Sequence, residues 1–445
     1  MNPDPQASAS LDDPPSAGPA PALSLAGRQQ ILPMLLLTAI SALDGFNVLS
    51  VTFAAPGFSR EFGIDKTALG WTFSTGLVGM GLGSLLLAPL ADVFGRRRLV
   101  LGNLLLMMAG MFAGAAANSW MALTGARFAT GLGVGAMIAV LAPLASEYAS
   151  TQRRELMVGL MSVGYPIGGL LGGALSTLLL REHGWRAVFV LGGVAAAALI
   201  PLVLLRMPES IAYLLDRRPG NAVQRINRVL RSRGAPAITA LPRRGDRPAA
   251  TPLRELLGHR VLWQTLQITA INFLFVTTAY YFLSWMPSIV AAAGYAPAQA
   301  AAVSVLANLT GIGGGLLLGW LAPRFSLRRV TSIALIGTGT GTALFGASDA
   351  GLATMLVVAA VTGFFLFGGF VGILSLVAGS FAPRVRATGS GLVIGVGRAG
   401  SALATVAAGA LFAVGLGSPL VSLLMGSCAL IAGVCLAGLR VKQQK

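Results

Sequence analysis

Charge is what this sequence has least of. Asp, Glu, Lys and Arg make up 11% of its 445 residues, against roughly a quarter in soluble domains, and that excludes an ordinary water-soluble fold. Acids are scarcest, at 15 against 32 Lys and Arg. The two histidines, His183 and His259, lie between apolar runs, and no nucleophile, base and acid cluster accompanies them. That speaks against an enzyme. Two cysteines are too few for a disulfide framework. Cys428 and Cys435, seven apart on one face of the last apolar run, read as small packing residues rather than a disulfide or metal pair. Residues 1–28 lack the charged start, apolar stretch and cleavage site of a signal peptide. They are rich in Pro, Ala, Ser and Asp and read as a disordered tail.

What the chain does have is long apolar runs: 55% of residues are hydrophobic, and mean hydropathy is +0.76. A bilayer core about 30 Å thick needs roughly 20 apolar residues per helix at about 1.5 Å each. Twelve such windows fall at about 31–55, 67–90, 99–117, 120–144, 156–180, 187–205, 261–285, 298–322, 330–347, 352–379, 388–413 and 417–439. The net charge of +17 raises nucleic acid as a partner, but the distribution of the charge argues otherwise. With the N-terminus in the cytoplasm, 26 of the 32 basic residues fall in cytoplasmic segments. Only Arg60, Lys66, Arg181 and Arg186 fall outside, and Arg127 and Arg398 lie within spans. That is the positive-inside pattern, so both termini are expected in the cytoplasm and the partners are a bilayer, not nucleic acid.

The one long connection, 208–258, is arginine-rich and divides the spans six and six. LLLAPLADVFGRRR (85–98) aligns with LLLGWLAPRFSLRR (316–329) at an offset of 231, and GLMSVGYPIGG (159–169) with GLVIGVGRAGS (391–401) at 232. Two unrelated stretches with nearly one offset indicate a duplication. The expected fold is an all-α membrane protein of 12 transmembrane helices in two pseudo-symmetric six-helix bundles. The expected units are a tail (1–28), an N-terminal bundle (29–207), a basic linker (208–258), a C-terminal bundle (259–440) and a short tail (441–445).

APLADVFGRRR (88–98) and RFATGLGVGA (127–136) resemble the loop between spans two and three and the fourth-span pattern of the major facilitator superfamily. Within it the chain resembles the aromatic acid:proton symporters (benzoate and 4-hydroxybenzoate permeases). The residues that carry this are LDGFN (43–47), RMPES (206–210), FLSWMPSIVAAAGY (282–295) and PRVRATGSGLVIGVGRAG (383–400). The resemblance implies a bacterial-type inner-membrane importer of small organic, above all aromatic, carboxylates. Such an importer is driven by the proton gradient without a cofactor and works as a monomer. One departure stands out: members usually carry a second acid three residues after the first, and here that place is Asn47.

Ionisable residues inside the membrane cost about 2.5–3.5 kcal/mol each on insertion scales and so face a cavity or a partner. Asp44 is the only deep acid, and Arg127 and Arg398 the only deep bases. From helix rise, Asp44 lies roughly 20 Å and Arg398 roughly 15 Å from the cytoplasmic side, and Arg127 about 10 Å from the outside. A carboxyl can take up and release a proton, while Arg stays charged and can bind both oxygens of a carboxylate. Asp44 thus reads as the proton carrier or as one end of an interhelical hydrogen bond. Arg398 reads as the substrate's carboxylate partner, or as a coupling or packing residue. Arg127 reads as a proton-coupling residue or a structural ion pair. Asn47, one turn from Asp44, either bonds substrate or orients the acid.

The repeat sets Tyr165 and Pro166 against Arg398, which predicts a pocket with Arg398 on one wall and Tyr165 on the other. Asn272 and Tyr281 in span seven are candidate pocket residues, with packing as the alternative. Trp285 and Tyr295 read as an interfacial belt. Asp92 with Arg96 and Glu147 with Arg154 read as cytoplasmic gating latches. A proton-coupled exporter of drugs or metabolites on the same fold remains open, GYPIGG (164–169) being its weak sign, as does a membrane sensor without flux.

Overall fold

The computed structural model describes residues 31–148, 154–218, 220–231, 237–239, 241, 259–322, 324–348, 351–381 and 386–438. The 1–28 and 441–445 tails and most of 232–258 lie outside the described residues.

Lipid offers no partner to a backbone amide, so a spanning chain satisfies its polar backbone within helices. Among the described residues the elements are all helical. In the first half they are α1 (Ile31–Phe62), α2 (Lys66–Leu82), α3 (Leu90–Phe94), α4 (Arg96–Ala115), α5 (Trp120–Tyr148), α6 (Arg154–Glu182) and α7 (Arg186–Arg206). Two short helices, α8 (Ile211–Arg217) and α9 (Ala222–Arg231), follow. The second half holds α10 (His259–Ala292), α11 (Pro297–Leu321), α12 (Leu327–Gly346), α13 (Leu352–Ser380), α14 (Arg386–Ala413) and α15 (Ser418–Gly438).

Eleven of these are long and apolar enough to cross a membrane. The twelfth long helix, α12, falls short because of its run of Thr and Gly. Its hydroxyls are satisfied locally: Thr338 and Thr342 donate to the carbonyls of Ala334 and Thr338, both at 2.8 Å. α1 runs past the end expected from sequence because Pro56 is accommodated inside it, as membrane helices permit. α2 continues into one wider π-helical turn at Gly83–Leu87, where Ser84 Oγ donates to Gly135 O of α5 at 2.8 Å.

The duplication is written into the helix ends. α4 and α12 start and stop 231 residues apart, α5 and α13 232 apart, and α7 and α15 232 apart. Turn glycines follow the same spacing: Gly63 and Gly294, and Gly184 and Gly415, are 231 apart and all have positive φ.

The halves meet along α2 with α14 and along α6 with α11, which are equivalent pairs under the repeat. Closest approach is at one end. A Cβ on Gly70 of α2 would lie 2.6 Å from Thr405 O of α14, and one on Gly409 2.6 Å from Lys66 O. At the other end the facing helices stand free: on α14, Gly391, Leu392, Ile394, Gly395 and Val396 are all exposed. Exposure on nearly every side of a helix means that it has parted from its neighbour. The cavity between the halves therefore opens at the end that carries α3, α8 and α9.

Candidate functional site

α1 and α6 touch backbone to backbone in mid-membrane. A Cβ on Gly45 would overlap the carbonyl oxygen of Tyr165, so only glycine lets the two helices approach there. This contact brings the Asp44 segment beside Tyr165. Asp44 has no exposed surface, and neither of its carboxyl oxygens has a hydrogen-bond partner among the described residues.

Across the cavity, Arg398 of α14 donates from Nη1 to the Tyr280 hydroxyl of α10 at 3.0 Å. Tyr280 is held edge-on by Phe370 at 6.4 Å between centroids. The Tyr165 phenol lies within electrostatic reach of Tyr280, Arg398 and Asp44. Asp44, Tyr165, Tyr280 and Arg398 thus gather where the two halves face each other. Tyr280 was not among the candidates read from sequence. It adjoins Tyr281 in a run of aromatics, and only the helix rotation, about 100° per residue, decides which of the two faces Arg398.

Arg127 is buried in the first half and bonded to α1. Its Nη2 donates to Asn47 O at 2.9 Å, and its Nη1 to Ser50 Oγ at 3.4 Å. None of these bonds reaches the Asp44 carboxyl. A cavity of about 20 Å³ beside it is lined by Thr52, Phe73, Leu77, Arg127 and Tyr280. That is room for one water, not for an aromatic acid. The Asn47 side chain is buried with no hydrogen-bond partner among the described residues, its Oδ1 near Gly192 of α7.

The other two span-seven candidates face protein. Asn272 Nδ2 donates to Val393 O of α14 at 2.9 Å, and Tyr281 Oη is 2.6 Å from Ser422 Oγ of α15. Trp285 corrects the belt expectation. It is 1% exposed, stacked edge-on against Phe73 of the other half at 5.4 Å and tilted against Phe412 at 4.9 Å.

At the open end the expected latches group differently. Arg96 forms an ion pair with Glu147, while the side chains of Asp92 and Arg154 lie outside the described residues. Glu147 also accepts from Ser210 Oγ at 2.6 Å. Glu209 accepts the backbone amides of Arg97 at 3.1 Å and Ser210 at 3.0 Å. Between them Gly95 makes the turn into α4 with φ +100°, and a Cβ there would lie 2.6 Å from Glu209 Oε2. RMPES (206–210) thus clamps the basic turn to α5, all within the first half. Among the described residues no three His, Cys, Asp or Glu form a group that could hold a metal ion.

Two packed six-helix halves, with a buried carboxyl in one and a half-buried arginine in the other, match a known architecture. The family model described as Major Facilitator Superfamily matches residues 34–345. The chain belongs to the major facilitator superfamily. Among its curated relatives, the gallate transporter of Pseudomonas putida is 30% identical over 412 residues, covering 92% of this chain and 91% of that one. The 3-(3-hydroxy-phenyl)propionate transporter of Escherichia coli is 30% identical over 405 residues, covering 90% and 91%. These relatives place the chain in the aromatic acid permease branch, whose members are transporters rather than enzymes. In fold it is similar to the crystal structure of a D-xylose-proton symporter, with TM-score 0.72 and 16% identity over 93% of this chain and 99% of that one.

Proposed function

We propose that this protein imports small aromatic carboxylates together with protons across a bacterial inner membrane. It does so as a monomer by alternating access, without a bound cofactor. The observation that carries the reading is the cluster of Asp44, Tyr165, Tyr280 and Arg398, which sets Tyr165 within electrostatic reach of a carboxyl of its own half and a guanidinium of the other. The curated relatives carry gallate and 3-(3-hydroxy-phenyl)propionate by name, and both compounds pair an aromatic ring with a carboxylate. Arg398 is the group suited to the carboxylate. Entering substrate replaces the Tyr280 hydroxyl on the guanidinium, and the aromatic neighbours Tyr165, Tyr280 and Phe370 offer faces to its ring.

Asp44 carries the proton. Neutralised by that proton, and with the substrate's charge met by Arg398, the loaded cavity holds no unpaired charge. A half-loaded cavity would hold one, and burying it costs several kcal/mol. Reorientation is therefore favoured only when both cargoes are aboard or both are absent. Arg127 holds α1 at Asn47 and Ser50, one turn beyond the carboxyl, and acts in coupling. Asn47 orients that segment, and Asn272 and Tyr281 fix α10 against α14 and α15.

The end that bears α3, α8 and α9 is the arginine-rich one, which the positive-inside rule assigns to the cytoplasm. In that orientation the cavity faces the cell interior, and Arg96, Glu147, Asp92 and Arg154 lie at its mouth as gating residues.

Uptake of labelled benzoate, hydroxybenzoate, nicotinate and muconate into proteoliposomes, with and without an inward proton gradient, tests the reading. The expected result is accumulation of an aromatic acid only with the gradient. Gradient-driven efflux of organic cations with no acid accumulated would sink it.

A further inference from the structure

At the sealed end a second cavity, of about 290 Å³, opens between α10, α12, α13, α14 and α15 and the first residue of α2. It lies beyond the rings that close the halves: Phe73 lines the Arg127 recess, Trp285 lines this cavity, and the Phe73–Trp285 pair is the wall between them. Its size is at the lower end of the ~300–1,000 Å³ of ligand pockets, which suits one aromatic ring.

The lining has a single charge, Lys66, at the rim. Trp285, Met355 and Phe412 supply apolar surface. Two lining residues, Trp285 at 1% and Ser288 at 5% exposure, carry buried polar atoms with no hydrogen-bond partner among the described residues, Nε1 and Oγ. An unmet buried donor is costly, so these two point to an absent acceptor. Trp Nε1–H can only donate, a hydroxyl can donate, and a carboxylate only accepts. No acid lines the cavity, and adjacent Asp65 is engaged as the cap of α2, accepting the Ala68 amide at 2.7 Å.

We propose that this vestibule is a second binding site for an aromatic carboxylate, a station outside the closed gate where substrate waits for the halves to part. Lys66 takes the carboxylate; the Trp285 and Ser288 donors, covered in this state, join it by side-chain rotation, and Phe412 with Ala292 and Ala293 take the ring. The proposal rests on the transport reading above for its ligand class.

The test places a cysteine at Ala292, which lines the cavity, in full-length protein with Cys428 and Cys435 changed to Ser. The readout is its rate of reaction with a membrane-impermeant maleimide in proteoliposomes. Benzoate should slow labelling several-fold and neutral benzamide should not. Lys66→Gln should raise the benzoate concentration needed for protection about tenfold, Ser288→Ala should raise it less, and Lys66→Arg should restore it. Protection should persist in Arg398→Gln, which removes the carboxylate partner in the central cavity.

Absence of protection, equal protection by benzamide, or loss of protection in Arg398→Gln would each overturn the vestibule site. Benzoate uptake in the same vesicles is scored separately. Protection without any uptake would keep the vestibule and overturn the transport reading, and uptake without protection would do the reverse.

Discussion

Asp44 and Tyr280 are the residues on which function turns. Asp44→Asn keeps size and hydrogen-bonding capacity but cannot exchange a proton. It is expected to abolish gradient-driven accumulation while leaving exchange of substrate across the membrane, measured as uptake against counterflow. Full accumulation in this variant would remove Asp44 from the proton path. Tyr280→Phe removes the hydroxyl that accepts from Arg398 Nη1 at 3.0 Å and keeps the ring. A hydrogen bond to a charged group is worth about 1.5–3 kcal/mol, so the KM for uptake should change at least about tenfold. The sign carries information: a rise means that the phenol holds Arg398 ready for substrate, a fall that it competes for the guanidinium. An unchanged KM would exclude Tyr280 from the site. Sequence made Asp44, Arg127 and Arg398 visible, because a charge in an apolar run stands out. Tyr280 stayed hidden among aromatics that composition cannot tell apart, and so did the choice of Glu147 as partner of Arg96.

At the scale of helices, the spans could be read from hydropathy and the two halves from a repeat of a few residues. The π-helical turn at Gly83–Leu87 left no such mark, because it depends on Ser84 reaching the Gly135 carbonyl of a neighbouring helix. Contacts between helices carry their own predictions. Gly45→Ala would push α1 off the Tyr165 carbonyl, and overpacking of this kind costs about 1–3 kcal/mol. Thermal unfolding in detergent should shift down clearly for Gly45→Ala. Gly391→Ala, with nothing within 4 Å of the added carbon, should leave it in place. Equal shifts would contradict the α1–α6 contact. Glu147→Gln should loosen the clamp of α4, α5 and RMPES, which holds through the Arg96 and Ser210 contacts. A loss of about 1–3 kcal/mol is expected, read as lower thermal stability.

For the whole molecule, the asymmetry between a sealed end and an open one is the mechanical fact. The seal at Gly70 and Gly409 is backbone against backbone, so Gly70→Leu should wedge that end apart. The expected signature is lost uptake with retained benzoate binding. Faster impermeant labelling of a cysteine at Ser284, buried at 6% exposure, should accompany it. Slower labelling would show that the halves do not part there. Seen over generations rather than milliseconds, the same seal divides what can vary from what cannot. No side chain can be exchanged for a better one at Gly70 or Gly409, since any Cβ collides with the opposing backbone. Divergence in cargo among descendants of this chain is therefore channelled into the walls of the cavity, around Tyr165 and Tyr280, while the gate is inherited nearly unchanged.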